Sequence, residues 1–322
     1  MVLNEFLAEW HNDNPRILVH TSGSTGKPKP LMVEKRRMLN SARITCDFLG
    51  LKPGDTALLC MPLDYIAGKM MVVRSLQRDL RLTSVRPSSH PLADDALPSF
   101  TFAAMVPMQV YNTLKVPCER ERLMHIRHLI IGGGAISDEL AQMIKPLPNA
   151  VWSTYGMTET LSHIALRRLN GPDASLWYTP FDGVGISLNA DGCLVIDAPE
   201  VCAEPLATND IAQLRTDDRT GKTLFRINGR KDNVVCSGGI KIQIEEVEET
   251  LRPHLSAPFM IVKKQDEMLG EKAILLTESA DLTHIEEICR NTLPKYWVPR
   301  EFLHIDHLPL TETGKPKRSG AF

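Results

Sequence analysis

One stretch near the N-terminus has the residue types of a phosphate-binding loop. An apolar run from Ile17 leads into six consecutive Thr, Ser or Gly residues at 21–26, and Lys27 and Lys29 follow on either side of a proline. Glycines let a ligand approach the main chain, and successive backbone N–H groups in such a turn form a concave nest for an anion. The pattern predicts a polyphosphate site, and a solvated Ser/Gly linker is the alternative.

The stretch is not a Walker A loop. Thr21 stands where that motif needs its first glycine, and Lys27 is followed by Pro28 instead of Ser or Thr. Pro28 has no N–H, so a helix is not expected to begin at once. We expect a strand, a flexible turn and a second short strand over 30–33, with a helix over 34–49.

Glycines follow a short apolar strand expected over 128–131. The segment Gly132-Gly-Gly-Ala135 comes next, and a helix is expected from Ser137, which has an N-cap-type side chain. A strand, glycines and a helix in this order allow a nucleotide to lie against the carboxyl edge of a sheet. A tight turn without any ligand would need the same residues.

A hydroxyl and a carboxylate follow another expected strand, over 150–154. In the segment Tyr155-Gly-Met-Thr-Glu-Thr160, Thr158 lies beside Glu159. Such a pair suits phosphate oxygens and Mg²⁺, which prefers carboxylate oxygens that it shares with phosphates. The alternative is a helix N-cap followed by an acid in the first turn.

Two lysines stand in unusual contexts. Lys69 interrupts an apolar helix that is expected to end near position 76, and it is either functional or a lysine that snorkels to the surface. Lys315 lies in a polar, proline-flanked Gly-Lys turn near the C-terminus, where a lysine without function would simply be solvated. The acidic run Glu245, Glu246, Glu248 and Glu249 is expected to form a solvated helix face.

The elements that must position these residues alternate between helix and strand. Helices are also expected over 3–10, 108–115, 244–251 and 284–293, and strands over 56–61, 81–85, 234–236, 260–262 and 273–277. From Phe181 onward the sequence consists of short runs in which apolar and polar residues alternate. This pattern predicts a small antiparallel sheet containing a turn at Thr208-Asn-Asp210. A polar segment over 228–232 then predicts a boundary between a domain over 1–231 and a domain over 232–322.

Composition excludes several classes of protein. The chain has 322 residues, with 37 Lys and Arg against 39 Asp and Glu and a net charge of −2, so no basic field points to nucleic acid. Its seven cysteines are scattered without a C-x-x-C pair, which favours free thiols in a reducing compartment. The N-terminus lacks the basic region of a signal peptide, and no apolar run reaches membrane-spanning length. We therefore expect a cytoplasmic protein without a membrane span.

Six motifs occur in one order and together resemble the superfamily of AMP-forming acyl-CoA synthetases, adenylation domains and luciferases, over nearly the whole chain. They are the stretch 21–29, Tyr155-Gly-Met-Thr-Glu-Thr160, Thr208-Asn-Asp210, Gly229-Arg-Lys-Asp232, Ser237-Gly-Gly239 and Thr313-Gly-Lys315. Two segments, 61–68 and 156–162, are most similar to the o-succinylbenzoate–CoA ligases of menaquinone biosynthesis. The resemblance implies an α/β large domain with mixed sheets and a small β-subdomain, followed by a smaller, mobile α+β domain.

The resemblance also implies a nucleotide site. Its members would be Thr21, Ser22, Gly23, Ser24, Thr25, Gly26 and Lys27 around the β- and γ-phosphates of ATP, and Gly133, Gly134, Ala135, Ser153, Thr154, Tyr155 and Gly156 beside the adenine and the acyl group. Asp210 would accept hydrogen bonds from the ribose, with support from Arg230. Thr158 would contact phosphate, and Glu159 would help to hold Mg²⁺.

The remaining roles concern the second step and the acid. Lys315 would be the catalytic lysine of adenylation, Asp232 the hinge, and Ser237, Gly238 and Gly239 the wall of the CoA channel. The acid would be o-succinylbenzoate, and its second carboxylate needs a positive or hydroxyl group, for which Lys69, Ser162 and His163 are candidates and Lys69 is favoured. Tyr65 would also belong to the acid pocket. Tyr65 stands where many relatives carry a histidine.

The implied activity is ATP-dependent ligation of a carboxylic acid to CoA through an acyl-adenylate. Another aryl- or acyl-CoA ligase, an enzyme that adenylates for a carrier protein, and a non-catalytic nucleotide-binding protein remain as alternatives. Relatives have a sizeable region ahead of the phosphate loop, whereas here the loop begins near position 21. Either the large domain is naturally shortened or the sequence is a fragment, and in a shortened domain we expect a homodimer to cover the apolar surface that is left.

Overall fold

The computed structural model describes residues 1–20, 30–134, 136–310 and 317–318. Within them the helices are α1 (Leu3–His11), α2 (Lys35–Leu49), α3 (Ile66–Arg78), α4 (Pro107–Lys115), α5 (Pro117–Met124), α6 (Asp138–Ile144), α7 (Ile244–Leu251) and α8 (Leu282–Thr292), with a 3₁₀ turn over Lys231–Asn233. Most of the expected helices are confirmed within a few residues of their predicted ends.

The strands alternate with these helices and then dominate after residue 150. They are β1 (Arg16–His20), β2 (Pro30–Glu34), β3 (Thr56–Leu59), β4 (Arg81–Ser84), β5 (Phe102–Met105), β6 (His128–Ile131), β7 (Ala150–Gly156), β8 (His163–Arg168), β9 (Thr179–Pro180), β10 (Gly185–Leu188), β11 (Cys193–Asp197), β12 (Leu206–Thr216), β13 (Thr223–Arg230), β14 (Val234–Ser237), β15 (Ile240–Gln243), β16 (Phe259–Asp266), β17 (Gly270–Thr277) and β18 (Glu301–His304).

A seven-stranded sheet forms the centre of the first of two units. Its order is β4-β3-β5-β6-β7-β8-β9. The strands from β4 to β7 are parallel, and β8 and β9 are antiparallel to their neighbours. All four residues of β5 are buried, as expected for a parallel strand covered on both faces. The sheet brings the carboxyl ends of β3, β5, β6 and β7 to one edge.

Apolar residues at helical spacing attach α2 to this unit. Met38, Ala42, Cys46 and Leu49 are buried, and they recur every three or four residues, so they share one helix face. The helix ends at Gly50, whose φ of +64° lies in the left-handed region that C-terminal caps commonly use. The predicted helix therefore has both the face and the end that its sequence indicates.

The second unit is a compact α+β arrangement. In its five-stranded sheet the order is β15-β14-β17-β16, and β18 pairs in parallel with β17. One face packs against α7 and α8 through a cluster that includes Val235, Val247, Leu275 and Ile285. The units comprise residues 1–186, 196–206 and 214–225, and residues 187–195, 207–213 and 226–322. The predicted boundary after 231 stays a prediction.

Several local predictions are wrong. Thr208-Asn-Asp210 lies inside strand β12 instead of forming a turn. The polar segment over 228–232 is partly a strand, because residues 228–230 continue β13 and the 3₁₀ turn begins at Lys231. Only some positions of β12 are buried, so a strand can accommodate polar side chains at its exposed positions and a polar sequence does not require a turn. Helix α5 was not expected because its sequence lacks apolar periodicity. It begins with Pro117 in the first turn and is anchored by buried Glu119, which lies 2.9 Å from His90 Nδ1.

Candidate active site

The predicted phosphate loop lies outside the described residues, whereas the strands on either side of it are described. Strands β1 and β2 pair antiparallel, and His20 lies opposite Pro30. The two expected strands that flank the loop are thus confirmed, whereas the expected turn between them lies outside the described residues. The predicted site residues that lie outside the described parts of the chain are Thr21, Ser22, Gly23, Ser24, Thr25, Gly26, Lys27, Ala135 and Lys315.

The glycines after β6 and the end of β7 lie side by side. Ile131 is paired with Ser153 in the parallel register. A Cβ on Gly132 would come within 2.4 Å of Thr154 Oγ1, so a larger residue there would displace the Thr154 side chain. Gly133 has a φ of +80°. This neighbouring pair of strand ends forms the carboxyl edge at which α/β sheets bind ligands.

Three aromatic rings gather at the same edge. The ring of Tyr155 is 5.0 Å from that of Phe225 and 5.7 Å from that of Tyr178. Tyr178 stacks on Phe225 at 5.3 Å, and its hydroxyl is 2.9 Å from Ser153 Oγ. Tyr178 and Phe225 were missed from the sequence, because neither belongs to a motif. The group can present an aromatic surface to a purine base.

The segment after β7 is a tight connection and not the start of a helix. A Cβ on Gly156 would lie 2.3 Å from the carbonyl oxygen of Ser162, since β8 returns directly beside it. Thr160 Oγ1 accepts from the N–H of Met157 at 3.0 Å and donates to the same Ser162 oxygen at 2.6 Å. Leu161 takes a φ of +65°. The helix N-cap alternative for Thr158 and Glu159 is therefore wrong.

Within this connection Thr158 and Glu159 have different environments. Thr158 is 7% exposed, whereas Glu159 is exposed. The Glu159 carboxylate makes no hydrogen bond or ion pair with any residue that the structure describes, and only its backbone carbonyl is engaged, by Cys202 Sγ. A free carboxylate beside a hydroxyl fits a cation that completes its shell with phosphate oxygens and water. The described residues contain no group of three or more His, Cys, Asp or Glu able to hold a metal by themselves.

The predicted ribose and hinge residues form one polar cluster in the second unit. Arg230 donates to Asp210 Oδ1 at 3.3 Å and to Asp232 Oδ2 at 2.9 Å. Asn209 Nδ2 also donates to Asp232, at 3.1 Å. The hydrogen bond from Arg230 is the main reason that the pKa of Asp232 is lowered. Arg230 therefore orients both carboxylates, and Asp232 lies in the 3₁₀ turn between β13 and β14.

The predicted CoA-channel residues form a two-residue hairpin turn. Ser237 is paired with Ile240 across β14 and β15. Between them, Gly238 and Gly239 have φ values of +56° and +84°, as the tight turns of type I′ require. The turn lies against the next hairpin, because the N–H of Gly238 donates to the carbonyl of Leu269 at 2.9 Å.

Lys69 is buried, which contradicts the interpretation of a snorkelling lysine. Its side chain is 4% exposed, and Nζ lies 4.0 Å from Glu9 Oε2. The ammonium donates to the carbonyl of Leu18 at 3.0 Å and lies 5.5 Å from the centre of the Phe6 ring. Burial lowers the pKa of Lys69, and Glu9 acts in the opposite direction. Lys69 thus attaches α3 to α1 and β1, while Tyr65 lies at the N-cap of the same helix.

The unexpected residue of the site is Arg74, five positions further along α3. It is 2% exposed, and it forms no ion pair with any described residue. One terminal nitrogen donates to Ser162 Oγ at 2.5 Å, and Nε has no hydrogen-bond partner. Burial lowers the pKa of Arg74 to about 10, so the group remains a cation at neutral pH.

Arg74 brings the predicted residues Ser162 and His163 into one cluster. Ser162 Oγ is 3.2 Å from His163 Nδ1, and Thr45 Oγ1 is 3.2 Å from His163 Nε2. Burial, reinforced by the nearby Arg74, lowers the pKa of His163 well below its usual value. The cluster therefore holds one buried cation, one neutral imidazole and two hydroxyls. Its sequence signal was an arginine within the apolar run of α3.

No helix in the described parts of the chain has both the length and the apolar character needed to cross a membrane. A family model described as AMP-binding enzyme matches residues 4–203. The chain is 25% identical over 334 residues to a 2-succinylbenzoate–CoA ligase of Bacillus mycoides, with 95% of this chain and 69% of that protein covered.

Two solved structures are similar over most of the chain. One is an acyl-CoA synthetase (AMP-forming)/AMP-acid ligase II-like protein from Dyadobacter fermentans, 34% identical with a TM-score of 0.67, covering 98% of this chain and 91% of that one. The other is an O-succinylbenzoate coenzyme A synthetase from Bacillus subtilis in complex with ATP and magnesium ion. It is 23% identical with a TM-score of 0.74, and the match covers 94% of this chain and 69% of that one.

Proposed function

This chain belongs to the family of AMP-binding enzymes and is an AMP-forming ligase, and we propose that it joins o-succinylbenzoate to CoA in two steps. In the first step the aliphatic carboxylate of the acid attacks the α-phosphate of ATP, and pyrophosphate leaves. In the second step the thiolate of CoA attacks the acyl carbon of the adenylate, and AMP leaves. This acid is supported by the similarity to a 2-succinylbenzoate–CoA ligase of Bacillus mycoides and to an O-succinylbenzoate coenzyme A synthetase of Bacillus subtilis.

One observation carries the choice of a dicarboxylic acid: Arg74 is a buried cation without a carboxylate partner among the described residues. An unpaired buried charge is costly, and its cost falls when an anion binds. The reacting carboxylate must face ATP, so a second carboxylate is available for Arg74. Ser162 and His163 lie beside the guanidinium and could complete the hydrogen bonds of that carboxylate.

The remaining residues fit the adenylation step. Two anions must meet, and negative charge grows on the α-phosphoryl oxygens, so positioning and fixed positive charge dominate catalysis. We assign this charge to Lys315 and the phosphate contact to Thr158. Mg²⁺, when bound, would neutralise phosphate charge, and Glu159 has the free carboxylate to hold it. We assign the ribose contact to Asp210 and Arg230, the pivot of a domain rotation to Asp232, and the CoA channel to Ser237, Gly238 and Gly239.

The test is ATP–pyrophosphate exchange with a panel of acids, followed by detection of the CoA thioester. The panel contains o-succinylbenzoate, 3-benzoylpropanoate, which lacks the second carboxylate, and simple aryl and fatty acids. We expect o-succinylbenzoate to give the highest kcat/KM in exchange and to yield a thioester with free CoA. A preference for a monocarboxylic acid would identify another acyl-CoA ligase instead. Exchange without thioester would point to a carrier protein as the acceptor.

A further inference from the structure

Glu248 on α7 is buried, although the sequence predicts that it belongs to a solvated acidic face. Its side chain is 9% exposed, while Glu246 and Glu249 are exposed as expected. One carboxylate oxygen accepts from the N–H of Ile261 on β16 at 2.7 Å. Burial raises the pKa of Glu248, and Arg318 is the main influence in the opposite direction. A buried carboxylate depends on its partner, so the partner of Glu248 is informative.

That partner is Arg318, close to the end of the chain. Its terminal nitrogens donate to the two oxygens of Glu248 at 3.0 and 2.8 Å, and Nη1 also donates to the carbonyl of Ile261 at 3.2 Å. The Arg318 side chain is only 16% exposed. Paired hydrogen bonds between a planar guanidinium and a carboxylate fix both position and orientation. Arg318 is therefore attached to α7 and β16.

The chain before residues 311–316 is attached to the same unit. The N–H of Leu308 donates to Glu278 Oε1 at 2.9 Å, and the Leu308 side chain packs against buried residues of β16 and β17. The N–H of Lys317 donates to the carbonyl of Pro309 at 2.8 Å. Pro309 and Lys317 are thus held together, although residues 310–316 separate them along the chain.

We propose that Glu248 and Arg318 are positioning residues for Lys315, because their ion pair holds the C-terminal end of the segment that carries this lysine. Lys315 stands three positions before Arg318. The proposal rests on the proposed function, in which a cation from this segment must reach the α-phosphate of ATP. Displacing a reacting group by about 1 Å can cost roughly a hundredfold in rate, so loss of the anchor should slow adenylation.

The two half-reactions separate positioning from general damage. We expect Arg318→Met to lower kcat of adenylation about 10- to 100-fold. Thioester formation from supplied acyl-adenylate and CoA needs no lysine at the α-phosphate and should change less than about threefold. Arg318→Lys, which keeps the charge but not the paired geometry, should lie between wild type and Arg318→Met. Glu248→Gln should resemble Arg318→Met. Arg290→Met, which breaks an exposed pair with Glu286 in the same unit, should leave both half-reactions unchanged.

A double-mutant cycle tests whether Arg318 acts through Lys315. If it does, Arg318→Met should have little further effect on adenylation when Lys315 is already alanine. Hydrogen exchange at the Lys317 amide gives a readout that does not depend on activity. The amide should be protected in wild type and Arg290→Met, and exchange faster in Arg318→Met.

These outcomes distinguish failure of the anchor from failure of the proposed function. The anchoring role of Arg318 is refuted if wild type catalyses ATP–pyrophosphate exchange and both Arg318→Met and Arg318→Lys keep the wild-type adenylation rate. The proposed ligase function would then stand. The anchoring role would also be refuted if Arg318→Met slowed both half-reactions equally. The same holds if Arg318→Met slowed adenylation as much in the Lys315→Ala background as in wild type. If wild type catalyses no ATP–pyrophosphate exchange with any acid of the panel, the proposed function itself fails. Should Arg318→Met not fold, Arg318→Lys and Glu248→Gln carry the same comparison.

Discussion

Arg74 and Lys69 lie on the same helix, but their surroundings give them different roles. Lys69 has a backbone carbonyl, a carboxylate and an aromatic ring within reach. Arg74 has one hydroxyl, a weak contact from Nη1 to Met71 Sδ at 3.9 Å, and an unpartnered Nε. The first cation is satisfied by the protein, and the second is not. A buried group left in this state is typical of a binding site that is stabilised by its ligand.

We predict that Arg74→Met impairs binding of the second carboxylate without destabilising the protein. A hydrogen bond to a charged group contributes about 1.5–3 kcal/mol, so KM for o-succinylbenzoate should rise roughly 10- to 100-fold. KM for 3-benzoylpropanoate, which has no second carboxylate, should stay the same. The unfolding free energy in urea should be unchanged or higher, because replacing a buried charge by an apolar side chain of similar size is neutral or stabilising.

The matched control is Arg78→Met, one turn further along α3, where the arginine contacts Asp47 and the carbonyl of Leu51. This variant should keep the wild-type KM for both acids. An equal rise in KM for both acids in Arg74→Met would contradict the assignment of Arg74.

We expect His128, the first residue of β6, to make the unfolding free energy depend on pH. Burial, together with Arg127 and Arg168, lowers the pKa of His128 to about 4, and its Nδ1 has no hydrogen-bond partner in the described structure. The unfolded state therefore binds more protons between about pH 4 and pH 6.5, so stability falls as pH drops through this range. Between pH 7 and pH 5, the unfolding free energy should fall by about 1–2 kcal/mol more in wild type than in His128→Gln.

Urea unfolding at several pH values measures this difference. His125→Gln is the control, because His125 is exposed and lies three residues earlier. If both variants keep the wild-type dependence on pH, another group causes it.

At the scale of elements, the turn between β14 and β15 allows a test of the CoA channel. Gly239 has a φ of +84°, and a Cβ there would meet nothing within 4 Å. Asparagine tolerates positive φ in such turns, so Gly239→Asn should change the unfolding free energy by less than about 1 kcal/mol. If the pantetheine arm passes this turn, KM for CoA should rise while ATP–pyrophosphate exchange stays at the wild-type rate.

Gly221→Asn makes the same change in another turn, where φ is +67° and no atom lies within 4 Å of a Cβ. It should leave KM for CoA unchanged. If Gly239→Asn, Gly221→Asn and wild type had the same KM for CoA, the assignment of Gly239 to the CoA channel would be contradicted.

At the scale of the whole molecule, one small domain is proposed to serve two reactions. We predict that Lys315→Ala slows adenylate formation about 10²- to 10³-fold and leaves a measurable residual rate, because losing the positive charge at the α-phosphate raises the barrier by about 3–4 kcal/mol. Thioester formation from supplied acyl-adenylate should continue. ATP–pyrophosphate exchange and a thioester assay started from the adenylate measure the two steps separately. If Lys315→Ala slowed both steps to a similar extent, the assignment of Lys315 as the lysine of adenylation would be contradicted. The homodimer stays a prediction.

Local chemistry in the sequence was enough to predict most helices and strands and the strand ends that carry glycines and Thr158–Glu159, whereas the α/β architecture was implied by the family resemblance. Helical spacing in α2 and the apolar run of β6 are properties of neighbouring residues, so each can be read without a fold. The ordered motifs then indicated the family. The roles of the individual site residues remain predictions that the experiments above address.

Burial and pairing were decided only by the tertiary structure. Arg74 contacts a residue 88 positions away, and Glu248 and Arg318 are 70 positions apart. Helical spacing places Glu248 on the same face of α7 as the buried Ile244 and Leu251, but no local pattern shows that Arg318 is its partner or that Lys69 is buried. Whether a charge is solvated, paired or left for a ligand depends on which distant segments fold against it. The sequence by itself therefore predicted where a nucleotide would bind, and the fold determined which charges are buried and which are paired among the described residues.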